Sequence, residues 1–143
     1  MSTGSGPFDP ENQKPHVLDH IWDSGWEDNT AHQDEETFEA VEHILNEMFK
    51  HRDILTVQEN SVIPPILVHC SAGFGRTGTI CALFNMIEAI RYTKKNREEL
   101  AKVLSECQYL KEKYPEIINE PVRVSIFGCV RKLREQRMLM VKK

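Results

Sequence analysis

The pattern of apolar and polar positions divides the chain into amphipathic helices and short extended segments. Over residues 33–52, apolar side chains recur at steps of three and four residues, which predicts a helix. The same spacing predicts three further helices, over residues 77–92, 94–114 and 126–138. Short β-branched or apolar runs predict strands at residues 16–22, 54–57 and 66–69. The alternation indicates an α/β fold, with a few central strands packed by about four helices.

Each predicted helix carries an apolar stripe that is expected to face the core. In the first helix the stripe consists of Phe38, Val41, Leu45, Met48 and Phe49. In the second it consists of Ile80, Leu83, Phe84, Ile87 and Ile90. The last helix presents Phe127, Val130 and Leu133, and Ser125 is a suitable N-cap for it.

Composition predicts one domain behind a short leader. Residues 1–14 are rich in Ser, Gly and Pro and are predicted to be a flexible leader, with the domain over residues 15–143. Hydrophobic residues make up 40% of the chain and charged residues 28%, which is ordinary for a globular protein. No apolar run approaches the length of a membrane span, and no signal-peptide core is present in the sequence.

Charge and cysteine usage narrow the class of partner. The net charge is −4 and there is no basic tract, which argues against a nucleic-acid partner. The four cysteines have no CxxC spacing, so neither a zinc site nor a disulfide scaffold is expected. His16 and His20 share a face of a predicted strand, but no third metal ligand has a matching spacing. Reduced cysteines are typical of the cytoplasm, which is the expected location.

Ten residues, His69 to Gly78, carry the strongest chemical signal. An apolar run precedes them and a helical pattern follows, which predicts a strand, a tight loop and a helix start. Such a loop directs successive backbone N–H groups into one concavity, and the helix dipole adds positive potential there. Cys70 lies at the base of this concavity and Arg76 at its rim. The segment therefore predicts a phosphate pocket that contains a nucleophile.

Cys70 has the surroundings of an activated thiol. Backbone N–H groups and Arg76 favour its ionised form, so its pKa is expected to fall well below the ordinary value of about 8.5. The hydroxyl of Thr77, or that of Ser71, can donate a hydrogen bond to the sulfur. His69 can orient the nucleophile through ring hydrogen bonds, and a thiolate needs no general base.

Arg76 and the loop backbone are the predicted phosphate ligands. The planar guanidinium matches two phosphoryl oxygens, and glycines let the loop turn without a Cβ in the pocket. The phosphate-binding residues are predicted to be Ser71, Ala72, Gly73, Phe74, Gly75 and Arg76. Because these groups neutralise the developing charge, no metal or other cofactor is required.

Turnover also needs an acid to protonate the leaving oxygen. The polar loop over residues 23–30 places Trp26 beside two carboxylates, Glu27 and Asp28. Either could donate the proton if the loop folds over the pocket.

The ten-residue run resembles the signature loop of the tyrosine-specific protein tyrosine phosphatases. Trp26-Glu27-Asp28 lies where that family has its acid loop, Trp-Pro-Asp, and the helix over residues 130–137 with Met140-Val141 resembles its closing helices. The resemblance extends from about residue 16 to 141. It implies a partial phosphatase-like fold, a phosphocysteine on Cys70, Asp28 as general acid and a phosphotyrosine-containing protein as substrate.

Several features depart from the family pattern. Glu27 stands where the family has proline, and the Gly-Val-Pro that follows the acid is absent. No phosphotyrosine-recognition loop is found, the sequence ends at Lys143 before the family's glutamine loop, and residues 94–120 exceed the usual connector. The resemblance is therefore to the C-terminal part of the catalytic domain.

Three functions remain open at this stage. The first is a phosphatase acting on phosphotyrosine in proteins, and the second is a weak or inactive relative that binds phosphorylated ligands without turnover. The third, an inositide or dual-specificity phosphatase, ranks last because inositide-specific relatives tend to have basic residues inside the loop. Here the variable positions are Ser71, Ala72 and Phe74.

Overall fold

A computed structural model of the chain describes residues 17–28, 30, 35–59, 65–106, 108–113 and 121–142. Four helices occur within these residues: α1 (Glu35–Glu59), α2 (Gly75–Glu106), α3 (Gln108–Lys113) and α4 (Ile126–Gln136). Helix α2 is the longest, α1 and α4 pack against it, and α3 follows it directly in the chain. The predicted leader, residues 1–14, lies outside the described residues.

The predicted α/β architecture is wrong, because the described residues contain no strand. Residues 17–22 and 66–69 are irregular, and their apolar side chains are largely exposed, with Val17 at 95% and Leu67 at 89%. A strand exists only as part of a hydrogen-bonded ladder, and neither segment forms one with another described segment. Apolar sequence alone therefore does not decide whether a strand forms.

Helices α1 and α2 extend further than predicted, whereas α4 ends at Gln136, two residues before its predicted end. Residues 54–57, predicted as a strand, belong to α1, which runs to Glu59. The two helices predicted over residues 77–92 and 94–114 are one continuous helix up to Glu106. Neither stretch contains the Gly or Pro that would end a helix, so the backbone hydrogen bonds continue through the predicted breaks.

The first part of the core lies between α1 and α2. Its buried residues are Val41, Leu45, Met48 and Ile80, with Leu83, Phe84 and Ile87 packed against them. The rings of Phe49 and Phe84 stack with their centroids 4.4 Å apart. Most of the predicted stripes are thus confirmed, but Phe38 in the first turn of α1 is 69% exposed. Trp26 and Val68 also pack on this cluster. They attach the loop of Asp28 and the segment that precedes Cys70 to the helices.

The second part of the core joins α2, α4 and the turn after α4. Its buried residues are Ala82, Leu133 and Met140. Ser125 caps α4 as predicted, because its side chain accepts a hydrogen bond of 3.0 Å from the N–H of Gly128. Phe127 was predicted to face inward, yet it is 78% exposed. This cluster holds the C-terminal turn against the base of the predicted phosphate pocket, since Phe74 and Val141 pack on it.

None of the helices in the described part of the chain has the length and apolar character needed to cross a lipid bilayer.

Candidate active site

The cradle is a bend over residues 71–74 that leads directly into the first turn of α2. Gly73 has a φ of 73°, a left-handed conformation that glycine adopts without steric cost. Its N–H donates a hydrogen bond of 3.2 Å to the sulfur of Cys70. The loop therefore turns back on the nucleophile, and α2 begins at Gly75, two residues earlier than predicted.

These surroundings favour the thiolate of Cys70. Burial acts to raise its pKa, but the Thr77 hydroxyl and the backbone N–H groups of Thr77, Gly73 and Phe74 outweigh burial and lower the pKa from 9.0 to about 7. The Thr77 hydroxyl is buried, and no hydrogen bond of proper geometry satisfies it in the described structure. We expect the ionised sulfur to be its acceptor, because this hydroxyl is among the groups that lower the pKa of Cys70.

The C-terminal turn supports the cradle from behind. The N–H of Val141 donates to the carbonyl of Phe74 at 2.9 Å, and the N–H of Gly78 donates to the same oxygen at 3.1 Å. A Cβ on Gly78 would clash with the backbone of Val141, so the close approach requires glycine. Arg137 donates to the carbonyl of Ala72 at 3.2 Å.

The loop that carries Asp28 is held by hydrogen bonds of its own. The indole of Trp26 packs against the core between α1 and α2 and donates to the carbonyl of Thr30 at 3.2 Å. The Thr30 hydroxyl donates to the carbonyl of Glu27 at 2.7 Å. These contacts hold Thr30 against Trp26 and Glu27, although Glu27 stands where the family has proline.

Arg76 joins this loop to the cradle. One terminal nitrogen donates to the carbonyl of Trp26 at 2.7 Å, across 50 residues of sequence. The other donates to the Ser71 hydroxyl at 2.9 Å and lies 3.3 Å from a carboxylate oxygen of Asp28. Ser71 in turn donates to the second oxygen of Asp28 at 3.1 Å. Asp28 is therefore held beside Arg76 and beside Ser71, the residue that follows Cys70 in the cradle.

Two sequence-based candidates make no such contact. His69 is exposed and forms no hydrogen bond with another described residue, so its orienting role stays a prediction. The carboxylate of Glu27 makes no ion pair or hydrogen bond with described residues, whereas Asp28 contacts both Arg76 and Ser71. The geometry thus favours Asp28 over Glu27 as the acid.

Sequence reasoning missed two parts of this arrangement. Arg137 was not among the predicted site residues, yet its guanidinium lies 3.0 Å from the position that a Cβ on Gly73 would take. The second is the backbone carbonyl of Trp26, which accepts from Arg76. The sequence cannot indicate this acceptor, because every residue has a backbone carbonyl. Basic residues near a helix end were the only available hint to Arg137.

Among the described side chains, no group of three or more His, Cys, Asp or Glu residues is arranged to hold a metal ion.

Comparison with known families shows to which protein family the chain belongs. The sequence profile of the family described as Protein-tyrosine phosphatase matches residues 7–143. The chain belongs to the protein-tyrosine phosphatase family. This confirms the resemblance drawn from the cradle and the acid loop.

Curated relatives in this phosphatase family cover most of the chain. Tyrosine-protein phosphatase 3 of Saccharomyces cerevisiae is 30% identical over 92% of this chain, and the match spans 13% of the yeast protein. Tyrosine-protein phosphatase 2 of Schizosaccharomyces pombe is 31% identical over 94% of this chain, spanning 14% of the relative. Human receptor-type tyrosine-protein phosphatase alpha is 56% identical over 34 residues. The chain thus spans a small part of these relatives' length, and no solved structure gave a significant match.

Proposed function

We propose that the chain acts as a cysteine-dependent protein-tyrosine phosphatase, which hydrolyses phosphotyrosine in proteins through a phosphocysteine on Cys70. The observation that carries the proposal is a cradle that lowers the pKa of Cys70 to about 7, with Asp28 bound to Arg76 and Ser71 of the same loop. Membership of the phosphatase family supports the same reaction.

In the first step, the sulfur of Cys70 attacks the phosphorus, and the bond to the tyrosyl oxygen breaks. With a pKa of about 7, the thiol is substantially ionised at neutral pH, so no separate base is needed. Arg76 and the loop N–H groups take up the charge on the phosphoryl oxygens. Asp28 in its acid form transfers its proton to the leaving oxygen, which would otherwise depart as a phenolate.

In the second step, water attacks the phosphorus and the sulfur leaves. Asp28, now a carboxylate, accepts a proton from the water, and inorganic phosphate is released. Thr77 steadies the departing thiolate, because its buried hydroxyl favours the ionised form of the sulfur.

The proposed substrate is a phosphotyrosine-containing protein, and the proposed location is the cytoplasm, where the nucleophilic thiolate stays reduced. The names of the relatives support the tyrosine specificity. The domain is proposed to occupy residues 15–143, with residues 1–14 as a leader.

The test is hydrolysis of phenyl phosphate and of a phosphotyrosine peptide by wild type, Cys70→Ser and Asp28→Ala. Wild type should turn over, Cys70→Ser should not, and Asp28→Ala should lose about 10²–10⁴-fold because general acid catalysis is removed. Glu27→Ala is the matched control, since its carboxylate makes no contact in the pocket, and it should retain activity. Wild-type turnover no higher than that of Cys70→Ser would rule out the proposal.

The second candidate is a binding module that captures phosphorylated ligands with little turnover. It is favoured by one observation, the replacement of the acid-loop proline by Glu27. Mass spectrometry after mixing with a phosphotyrosine peptide separates the two functions. A phosphocysteine on Cys70 that persists for hours would support capture, whereas continuous phosphate release would support the phosphatase.

A further inference from the structure

Ser71 takes a place in the pocket that differs from the one expected of it. Its hydroxyl was one of two candidates for a hydrogen bond to the sulfur of Cys70. A serine hydroxyl has one proton to donate, and here it goes to Asp28 at 3.1 Å. The same oxygen accepts from Arg76 at 2.9 Å. Ser71 therefore connects the acid loop to the phosphate-binding arginine. Ser71 and Asp28 are 43 residues apart in the sequence.

We infer that Ser71 is a positioning residue, which holds the carboxyl group of Asp28 beside the cradle so that it can protonate the leaving oxygen. The inference rests on the proposed phosphatase function. The hydroxyl of Ser71 does not contact the reacting atoms, and Ser71 acts on the reaction through Asp28.

The ion pair with Arg76 alone is a weak tether for Asp28. The two groups are 3.3 Å apart and the Asp28 side chain is 52% exposed, so solvent screens their attraction. A bound phosphate also competes for the same guanidinium, because planar bidentate contact with phosphoryl oxygens is what arginine offers best. The hydroxyl of Ser71 gives Asp28 a second contact beside its ion pair with Arg76.

The consequence is a dependence on the leaving group. A weakly acidic phenol needs the proton from Asp28, whereas a strongly acidic phenol departs readily as its anion. A residue that positions Asp28 should therefore matter much more for phenyl phosphate than for a dinitrophenyl phosphate. A residue that only shaped the cradle would affect both substrates alike.

Kinetics with both substrates test this consequence. Ser71→Ala should lower kcat for phenyl phosphate about tenfold more than kcat for the dinitrophenyl ester, because one hydrogen bond that positions Asp28 is lost. Ser71→Thr, which keeps the hydroxyl, should restore the ratio, and the exposed Ser24→Ala should leave it unchanged. In the Asp28→Asn background, Ser71→Ala should no longer change the ratio, because the two residues act together.

Loop position is measured independently of turnover by fluorescence. Trp22→Phe removes an exposed tryptophan and leaves Trp26 as the reporter of the acid loop. In that background, Ser71→Ala should increase quenching of Trp26 by acrylamide, and Ser71→Thr should not.

The outcomes separate this inference from the proposed function. If the wild type shows no turnover that depends on Cys70, the proposed function is refuted. The quenching of Trp26 fluorescence then decides whether Ser71 holds the acid loop. Turnover with an unchanged substrate ratio in Ser71→Ala, or unchanged quenching, would overturn the inference while the phosphatase function stands.

Discussion

The ionisation of Cys70 should depend in part on the buried hydroxyl of Thr77. Thr77 is 6% exposed, and its hydroxyl is among the contributions that lower the pKa of Cys70 to about 7. Thr77→Val preserves the shape of the side chain and removes the donor. We therefore expect the pKa of Cys70 to rise toward its ordinary value, with no change in fold.

The size of the effect follows from the ionised fraction. At about pH 6, a pKa of about 7 leaves roughly one sulfur in ten ionised, whereas a pKa of 9.0 would leave roughly one in a thousand. The backbone N–H groups of Thr77, Gly73 and Phe74 remain in the variant, so only part of this range is lost. One hydrogen bond to a charged group corresponds to a change of about tenfold or somewhat more in the ionisation equilibrium.

The assay is alkylation by iodoacetamide as a function of pH, with the adduct on Cys70 located by peptide mass spectrometry. At about pH 6, Thr77→Val should react roughly tenfold more slowly than wild type. Thr77→Ser keeps the donor and should behave like wild type. Thr93→Val removes a hydroxyl that donates within α2, to the carbonyl of Ala89, and controls for the loss of a helix threonine. Equal alkylation of Thr77→Val and wild type would refute this account of the thiolate.

The remaining predictions concern stability and the support of the cradle. Leu45→Ala should lower the free energy of unfolding by about 2–5 kcal/mol in urea titrations, because Leu45 is buried between α1 and α2. Gly78→Ala should cost about 1–3 kcal/mol in the same assay, since the new methyl group meets the backbone of Val141. Arg137→Gln should weaken binding of inorganic tungstate in calorimetry, and unchanged affinity would show that the contact with Ala72 is dispensable. The lowered pKa of Cys70 contributes stability that is fully present above 9.0 and is lost as pH falls through about 7. The Tm of wild type relative to Cys70→Ser should therefore be higher at about pH 9 than at about pH 6.

Local sequence was sufficient for the helices and their buried faces. The stripes that place Val41, Leu45 and Ile80 in the core depend only on helical spacing, and they were predicted correctly. Exposed members such as Phe38 and Phe127 satisfy the same spacing. Spacing identifies the face of a helix, and the neighbouring elements decide how much of that face is covered.

Strand formation was where sequence reasoning failed. Residues 17–22 and 66–69 have the composition of strands, yet they remain irregular among the described residues. Strand hydrogen bonds join separate segments, so composition cannot specify them without a partner. Helical hydrogen bonds join residues four apart, and for this reason α1 continued through a segment predicted to be extended.

The sequence by itself determined the family and the phosphate cradle, because the nucleophile, the glycine at the turn and the arginine lie within seven consecutive residues, 70–76. Only the tertiary structure decided what surrounds them. Arg76 meets the carbonyl of Trp26 across 50 residues, and Arg137 meets that of Ala72 across 65. The Ser71 hydroxyl was one of two candidates to donate to the sulfur, and it instead donates to Asp28. Such contacts depend on how separate loops pack on α1 and α2, and spacing along the chain carries no information about that.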